Sequence, residues 1–415
     1  MFRRIRALYS MKSISLFTGT GGLDLGLEAA GFEPAICIEL DEDARKTLQL
    51  NRGHWSLLEP GDIHAHRPEE IMEQAELRSR EAALLSSGPP CQPFSKASLW
   101  VNGKEAGLAD SRSKTLRAYI DVAEVALPQV LLLENVGGLS RSGKNSALEL
   151  LESEIERINR RQGTRYRWIV THLNAADFGV PQTRDRVYLV ADRDGRIFRP
   201  PCKTHSAVAH NDSLDSYITA WDVIGDLDTD TWDESLSPRG KWAELLPSIP
   251  EGWNYLWHTE QGGGMPLFGC RRKFWSFLLK LSKSRPSWTL SASPGPATGP
   301  FHWRNRLLSR KELCRLQTFP DDYIVQGMHA SAQRQIGNAV PPLIGEVIGR
   351  EICRQWLGVP NEGRLRFLPL HREDHPELYP IRPVPEKYLS LVGDHEPHPG
   401  VGKGPRARAR VSLVK

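Results

Sequence analysis

The sequence predicts an α/β protein: a parallel sheet with helices on both faces, joined to a smaller, irregular domain. Three observations carry this. Short apolar runs at 14–17, 35–39, 83–86, 130–134, 168–171 and 187–190 read as buried strands. Helix-period segments lie between several of them. After Asp192 the composition shifts. Residues 193–300 are rich in Pro, Gly and Ser, show little helical period, and hold seven of the twelve tryptophans.

The elements follow in order. Residues 1–12 form a basic extension, and residues 13–192 form the sheet domain. Its first strand runs into a glycine loop, "TGTGG", and then a helix. Leu23, Leu27 and Ala30 mark the buried face of that helix, and Gly31 stops it. Leu148, Leu151, Ile155 and Ile158 repeat the pattern on a charged helix. The irregular domain spans 193–300. Residues 301–359 return to helical character at 309–318 and 342–356. The segment 360–415 ends in "GKGPRARARVSLVK", which has no acid, and is expected to be a mobile tail.

Bulk properties exclude several classes. Six cysteines in 415 residues do not make a disulfide framework and suit a reducing compartment. The basic start "MFRRIRALYSMKS" has no apolar stretch of a secretory signal. No run approaches the roughly 18–20 apolar residues of a membrane span. A net charge of +4 permits nucleic acid without demanding it.

Certain residues invite a chemical reading. In "SSGPPCQPFSK" the backbone around Cys91 is stiffened by Gly88, Pro89 and Pro90. A free cysteine is ordinarily a small buried hydrophobe. A rigid frame also suits a sulfur that must meet a reacting atom at a fixed place. The glycine loop lacks the dinucleotide spacing and a Walker lysine. Glu39 closes the second strand and Asp62 a plausible third unit. Singly, each reads as a solvated strand-end acid. In this order after a glycine loop they favour an adenosine-containing cofactor, with Glu39 on the ribose hydroxyls.

The remaining motifs fall into one order: "GPPCQPFS" at 88–95, "ENV" at 134–136, "QTRDR" at 182–186, "RLQTFPDDY" at 315–323 and "QIGNAVPP" at 335–342. Over residues 13–358 the chain resembles the DNA (cytosine-5) methyltransferases of bacterial restriction-modification systems. The resemblance implies a Rossmann-like class I fold dependent on S-adenosylmethionine, with 193–300 as target-recognition domain. It implies methyl transfer to carbon 5 of a flipped cytosine in duplex DNA, without a metal. The expected setting is the bacterial cytoplasm. The enzyme would act as a monomer on DNA, with a cognate restriction endonuclease or defence partner.

The resemblance assigns roles by position. Cys91 matches the nucleophile that adds to carbon 6, and Glu134 the acid at cytosine N3 and its amino group. Arg186 matches the residue that holds cytosine O2, and Arg184 the one that places the catalytic loop or a phosphate. Asn135 is expected to shape its turn. Phe17, Thr20, Gly22, Glu39, Asp62, Pro90, Leu116 and Asn338 match cofactor positions. Asn338 lies far along the chain, so the C-terminal helix is expected to fold back beside the first strand. Leu40 stands where the family often has an aromatic residue, so stacking on the adenine is lost. Residues 95–113 resemble a loop that closes over DNA.

In the recognition segment Arg271, Arg272, Lys273, Lys280, Lys283 and Arg285 form a basic cluster expected to follow phosphates. Phe274, Trp275, Phe277 and Leu278 are expected to be core of the small domain. Cys202 and His205 are too sparse for a metal site. A tRNA cytosine-5 methyltransferase on this fold is the rival of like chemistry. A non-catalytic DNA-binding relative is the rival of another class, and it should have lost Cys91, Glu134 or the glycine loop.

Overall fold

Six strands form one sheet in the order β2-β1-β3-β4-β7-β5. They are β1 Lys12–Leu16, β2 Glu33–Ile38, β3 Leu84–Ser87, β4 Val130–Asn135, β5 Ile169–Asn174 and β7 Asp185–Asp192. The computed structural model describes residues 11–90, 113–139, 147–207, 214–269, 274–359, 363–372, 374 and 377–393. All six predicted runs are strands. The expected all-parallel sheet is corrected at one place: β7 runs antiparallel to both β4 and β5. Only residues 175–184 separate β5 from β7, too few for the crossover a parallel pair needs. They hold a 3-10 turn and the two-residue strand β6 Gln182–Thr183.

The strands read as continuous apolar runs because alternate residues feed two cores. Leu84, Val130, Leu132, Tyr188 and Val190 face one; Leu85, Leu131, Leu133, Val187 and Leu189 face the other. The second core is closed by α3 Pro68–Gln74, α4 Ser113–Ala126 and α5 Ala147–Gln162 through Ile71, Tyr119, Leu151 and Ile155. The first core takes α1 Gly22–Ala29 and, from the far end of the chain, α9 Pro342–Ile352. A Cβ on Gly26 would lie 2.2 Å from Pro342 O, and one on Gly345 2.5 Å from Leu23 O. The two helices therefore meet at backbone distance, so the returning helix packs on the first helix. Between them in sequence lie α2 Glu42–Asn51, α6 Ala220–Ile224, α7 Arg310–Leu316 and α8 His329–Asn338.

The irregular segment contains the short pair β8 His205–Ser206 and β9 Asp215–Ser216. It rejoins the sheet domain at β10 Ser287–Trp288, which pairs with β6. Its two ends share the main core through Ile218, Val223, Leu281 and Leu290. Its middle has its own aromatic core of Leu245, Tyr255, Phe268, Phe277 and Leu278, which Phe301 joins from just beyond the segment.

Tyr388 belongs to that aromatic core, which corrects the expected mobile tail over residues 363–372, 374 and 377–393. Its ring stacks on Trp242 at 5.7 Å and 13°. Its hydroxyl donates to Lys241 O. Nearby, Arg382 N donates to Pro247 O, and Tyr379 N to Glu251 Oε1. The Phe367 amide donates to the buried Glu346 of α9. Composition suggested mobility, but two buried anchors, Phe367 and Tyr388, hold a stretch whose other residues stay largely exposed. The end of the tail, 394–415, lies outside the described residues.

Candidate active site

Glu134 is the penultimate residue of β4, and Arg186 the second of β7. Glu134 sits opposite Tyr188 in the register, and Arg186 lies two residues from Tyr188, so both side chains rise from one face. Glu134 Oε1 lies 3.3 Å from Arg186 Nε. Glu134 is only 7 % exposed. Burial pushes its carboxyl above the ordinary range, while Arg186 and then Arg184 pull it back down. Among the described residues Oε1 accepts no hydrogen bond. A buried carboxyl with an open acceptor is costly unless a further group meets it.

The Gly-Pro-Pro approach to Cys91 is fastened to the same strand. Asn135 Nδ2 donates to Pro89 O at 3.0 Å, and Asn135 Oδ1 accepts from Val136 N. Asn135 thus does more than shape its own turn: it anchors the segment that enters Cys91. A Cβ on Gly88 would lie 3.8 Å from Glu134 Oε2. Pro90 is exposed at the end of this approach. Cys91 itself and all but the last residue of the expected DNA-closing loop 95–113 lie outside the described residues.

Arg184 departs from its expected place. It is 2 % exposed, and its guanidinium donates to Gly337 O at 3.0 Å and Ala339 O at 2.9 Å. These are carbonyls at the end of α8, where a helix leaves acceptors without partners. A buried side chain so engaged does not reach a phosphate. Arg184 ties the C-terminal turn to the catalytic strand.

The glycine loop and Glu39 form a second cluster. Gly19 N donates to Glu39 Oε2 at 2.6 Å, and Asp41 N to Oε1 at 2.7 Å. Each carboxylate oxygen keeps a lone pair for a diol. Burial raises the Glu39 carboxyl above its usual range, and these two amide bonds oppose the shift. Phe17 takes a left-handed φ of 56° at the end of β1, strain of the kind that collects at functional turns. Thr20 Oγ1 is buried with no hydrogen-bond partner among the described residues. Gly22 is required by packing: a Cβ there would lie 2.2 Å from Val340 O. That contact brings the exposed Asn338, two residues before Val340, beside the glycine loop. A Cβ on Gly61 would lie 2.0 Å from Glu39 O, so Asp62 is carried next to Glu39. Leu116 shares the apolar cluster of Phe17 and Ile63 but is itself only 1 % exposed. Leu40 is 70 % exposed.

Sequence reasoning missed several supports. Arg45 Nη1 donates to both Glu39 O and Leu58 O, and Tyr323 OH to Thr20 O at 2.8 Å. Tyr323 ends a motif noticed only as a family marker; Arg45 carried no local signal, being one more charge on an amphipathic helix.

Residues 11–354 match the family of C-5 cytosine-specific DNA methylases. The chain belongs to this family. It is a DNA (cytosine-5) methyltransferase, and its methyl donor is S-adenosylmethionine. The type II methyltransferase M.SacI of Streptomyces achromogenes is 34% identical over 374 residues, covering 84% of this chain and 94% of the relative. The type II methyltransferase M.NgoFVII of Neisseria gonorrhoeae is 31% identical over 335 residues, covering 80% and 83%. The crystal structure of a DNA modification methyltransferase encoded in an Escherichia coli prophage shares the fold, with a TM-score of 0.58 at 20% identity over 83% of this chain and 99% of that one.

In the methylase, the segment 193–300 corrects two expectations. Lys280 is buried, and its ammonium donates to Ile249 O and Asn305 Oδ1, both at 2.7 Å; burial lowers it to about 8. Lys283 is also buried. It donates to Glu377 O, pairs with Glu251 at 3.1 Å, and lies over the neighbouring rings of Trp221 and Trp303. Neither can follow a phosphate backbone. Arg285 is exposed, and Arg271, Arg272 and Lys273 lie outside the described residues. The aromatic stripe splits: Phe277 and Leu278 are core, whereas Phe274 is 75 % and Trp275 56 % exposed. Trp275 packs edge-on against Trp288 of β10, the strand paired with β6 just before Arg184. Among the described residues no group of three His, Cys, Asp or Glu could hold a metal ion. None of their helices is long and apolar enough to cross a membrane.

Proposed function

We propose that the methylase acts through a covalent adduct between Cys91 and carbon 6 of a cytosine flipped out of duplex DNA. One observation carries the reading most: the Glu134–Arg186 pair sits against the Gly-Pro-Pro segment that leads into Cys91. Flipping costs a few kcal/mol of stacking and pairing. The thiolate of Cys91 adds to carbon 6, and electron density moves to carbon 5 and N3. Glu134, its carboxyl shifted upward by burial, shares a proton with N3 and accepts from the amino group. Arg186 donates to O2. S-adenosylmethionine, when bound, supplies the methyl cation equivalent that carbon 5 takes up. A base or water then removes the carbon 5 proton, and the thiolate leaves as the double bond re-forms.

The residues around the glycine loop fit the methyl donor. The Glu39 carboxylate, already aligned by two amides, takes the ribose hydroxyls, and Asp62 the adenine amino group. Thr20 brings an unpartnered hydroxyl, and Phe17 an apolar face. Gly22, Pro90, Leu116 and Asn338 complete the surround, Gly22 and Leu116 by shaping it from behind. Residues 193–300 read the target, with Phe274, Trp275 and Arg285 exposed to meet it. The kinship with type II enzymes supports a bacterial restriction-modification setting with a partner endonuclease, and a monomer acting on DNA in the cytoplasm.

Bisulfite sequencing of DNA from a methylation-free host expressing the chain tests this. One short sequence should be methylated at most of its copies, and the Cys91→Ala protein should leave the DNA unmodified. Methylation by Cys91→Ala would sink the adduct, and methyl transfer to tRNA in place of plasmid DNA would redirect the substrate.

A further inference from the structure

Helix α8 joins three parts of the molecule that the reaction needs in register. Toward the cofactor loop, Arg334 Nη2 donates to Asp41 Oδ2 at 2.6 Å, Ser331 Oγ to Asp43 Oδ2 at 2.5 Å, and Thr47 Oγ1 to Gln335 Oε1 at 2.8 Å. Asp41 is the residue whose amide holds Glu39, and its side chain caps α2. Toward the recognition segment, Gln333 Nε2 donates to Ser291 O at 3.0 Å, just past β10. A Cβ on Gly337 would lie 2.7 Å from the Ala292 backbone. At its C-terminal end the helix is held by Arg184, and by Gln317 Nε2 on Ile336 O at 2.6 Å. Consecutive residues on a helix point about 100° apart, so Gln333 and Arg334 reach to different sides from one rigid rod.

We propose that α8 couples the two substrate sites, with Arg334 and Gln333 as positioning residues. Fixing Glu39 and Asp41 at the methyl-donor site orients α8 through Arg334. Gln333 and Gly337 pass that orientation to the stretch after β10 that carries the recognition segment back to the catalytic strand. By linkage, DNA tightens donor binding by the same factor as donor tightens DNA binding. The inference rests on the assignment of Glu39 to the methyl donor and of 193–300 to DNA.

The test measures affinity, not turnover. S-adenosylhomocysteine binding is followed by calorimetry with and without a saturating duplex that carries the methylated sequence. The duplex is then titrated by fluorescence anisotropy with and without S-adenosylhomocysteine. In the unaltered protein each should tighten the other by about fivefold or more, the lower end of measured couplings. Arg334→Gln and Gln333→Ala should each cut that factor by up to about fivefold, the most that an exposed pair carries. Arg334→Lys, which keeps a charge for Asp41, should restore much of it. A merely structural loss would weaken both ligands without changing their mutual effect, and that result overturns the proposal. So would an unaltered protein that binds both ligands independently. A protein that binds no S-adenosylhomocysteine at all would overturn the cofactor assignment and this inference with it.

Discussion

Asp24 offers a quantitative test of how the glycine loop is supported. It lies in the first turn of α1, only 1 % exposed. Ser86 Oγ donates to its Oδ1 at 3.3 Å. Burial raises its carboxyl from 3.8 to about 7, against smaller opposing hydrogen bonds from Ser15 and Ser86, with Glu28 adding slightly to the rise. The folded chain therefore keeps a proton that the unfolded chain has released. The sign follows: this contribution to stability is full below 3.8 and is lost as pH rises to about 7. Between pH 5 and pH 7 the loss runs at about 1.4 kcal/mol per unit, near 3 kcal/mol in all. Asp24→Asn keeps the size and the acceptor but cannot ionise. Urea titrations at pH 5 and pH 8, followed by circular dichroism, compare the two proteins. The variant should gain about 3 kcal/mol on the wild type between those conditions, whatever its offset at pH 5. Parallel stability curves would refute the reasoning, because Asp24 would then be ionised in both states.

Outcomes are also expected for four further variants. Glu134→Gln should lower the methylation rate by about 100-fold or more, the scale of a lost proton-transfer group, in a single-turnover assay. Because the Glu134 carboxyl is shifted upward, the variant should also lose a stability decline that begins above pH 4.5. Tyr388→Ala should cost about 3–5 kcal/mol in the aromatic core of the recognition segment, seen as new protease cleavage in 242–279 while S-adenosylhomocysteine still binds. Lys283→Met should leave the salt dependence of DNA affinity unchanged but destabilise the fold, since Glu251 loses its buried partner. Arg285→Ala should instead reduce the salt slope by about one.

Much of the sheet domain was legible because its strands are buried on both faces. A residue such as Leu132 has one side available for interpretation, apolar, whichever core it faces. The reversal of β7 was legible in principle, since residues 175–184 are too few to cross over. Glu39 was readable as a strand-end acid; Asp62, expected to close a third unit, instead caps the 3-10 turn Ile63–Ala65, and the Gly61 contact that brings it to Glu39 left no local signal. Charge was the poorest guide. Lys280 and Lys283 lie in "FLLKLSK", where flanking leucines were the sign of burial; their partners, Asn305 and Glu377, are distant in sequence. Arg184 and Arg186 share a motif, yet one ends under α8 and the other beside Glu134. Their separation is set by a segment more than 150 residues away, beyond any local pattern.

The strap at 377–393 bears on how recognition could be exchanged between relatives. The recognition segment leaves the sheet domain after β7 and returns at β10, beside β6, so a transplant of 193–300 looks self-contained on paper. Its aromatic core is closed by Tyr388, and the buried Lys283 is anchored on Glu377 O. A graft that moves 193–300 alone would carry an unfinished interior into a foreign host. On the role proposed for 193–300, the exchangeable module is discontinuous: its two pieces, 193–300 and 377–393, travel together if a new target sequence is to arrive with a folded reader.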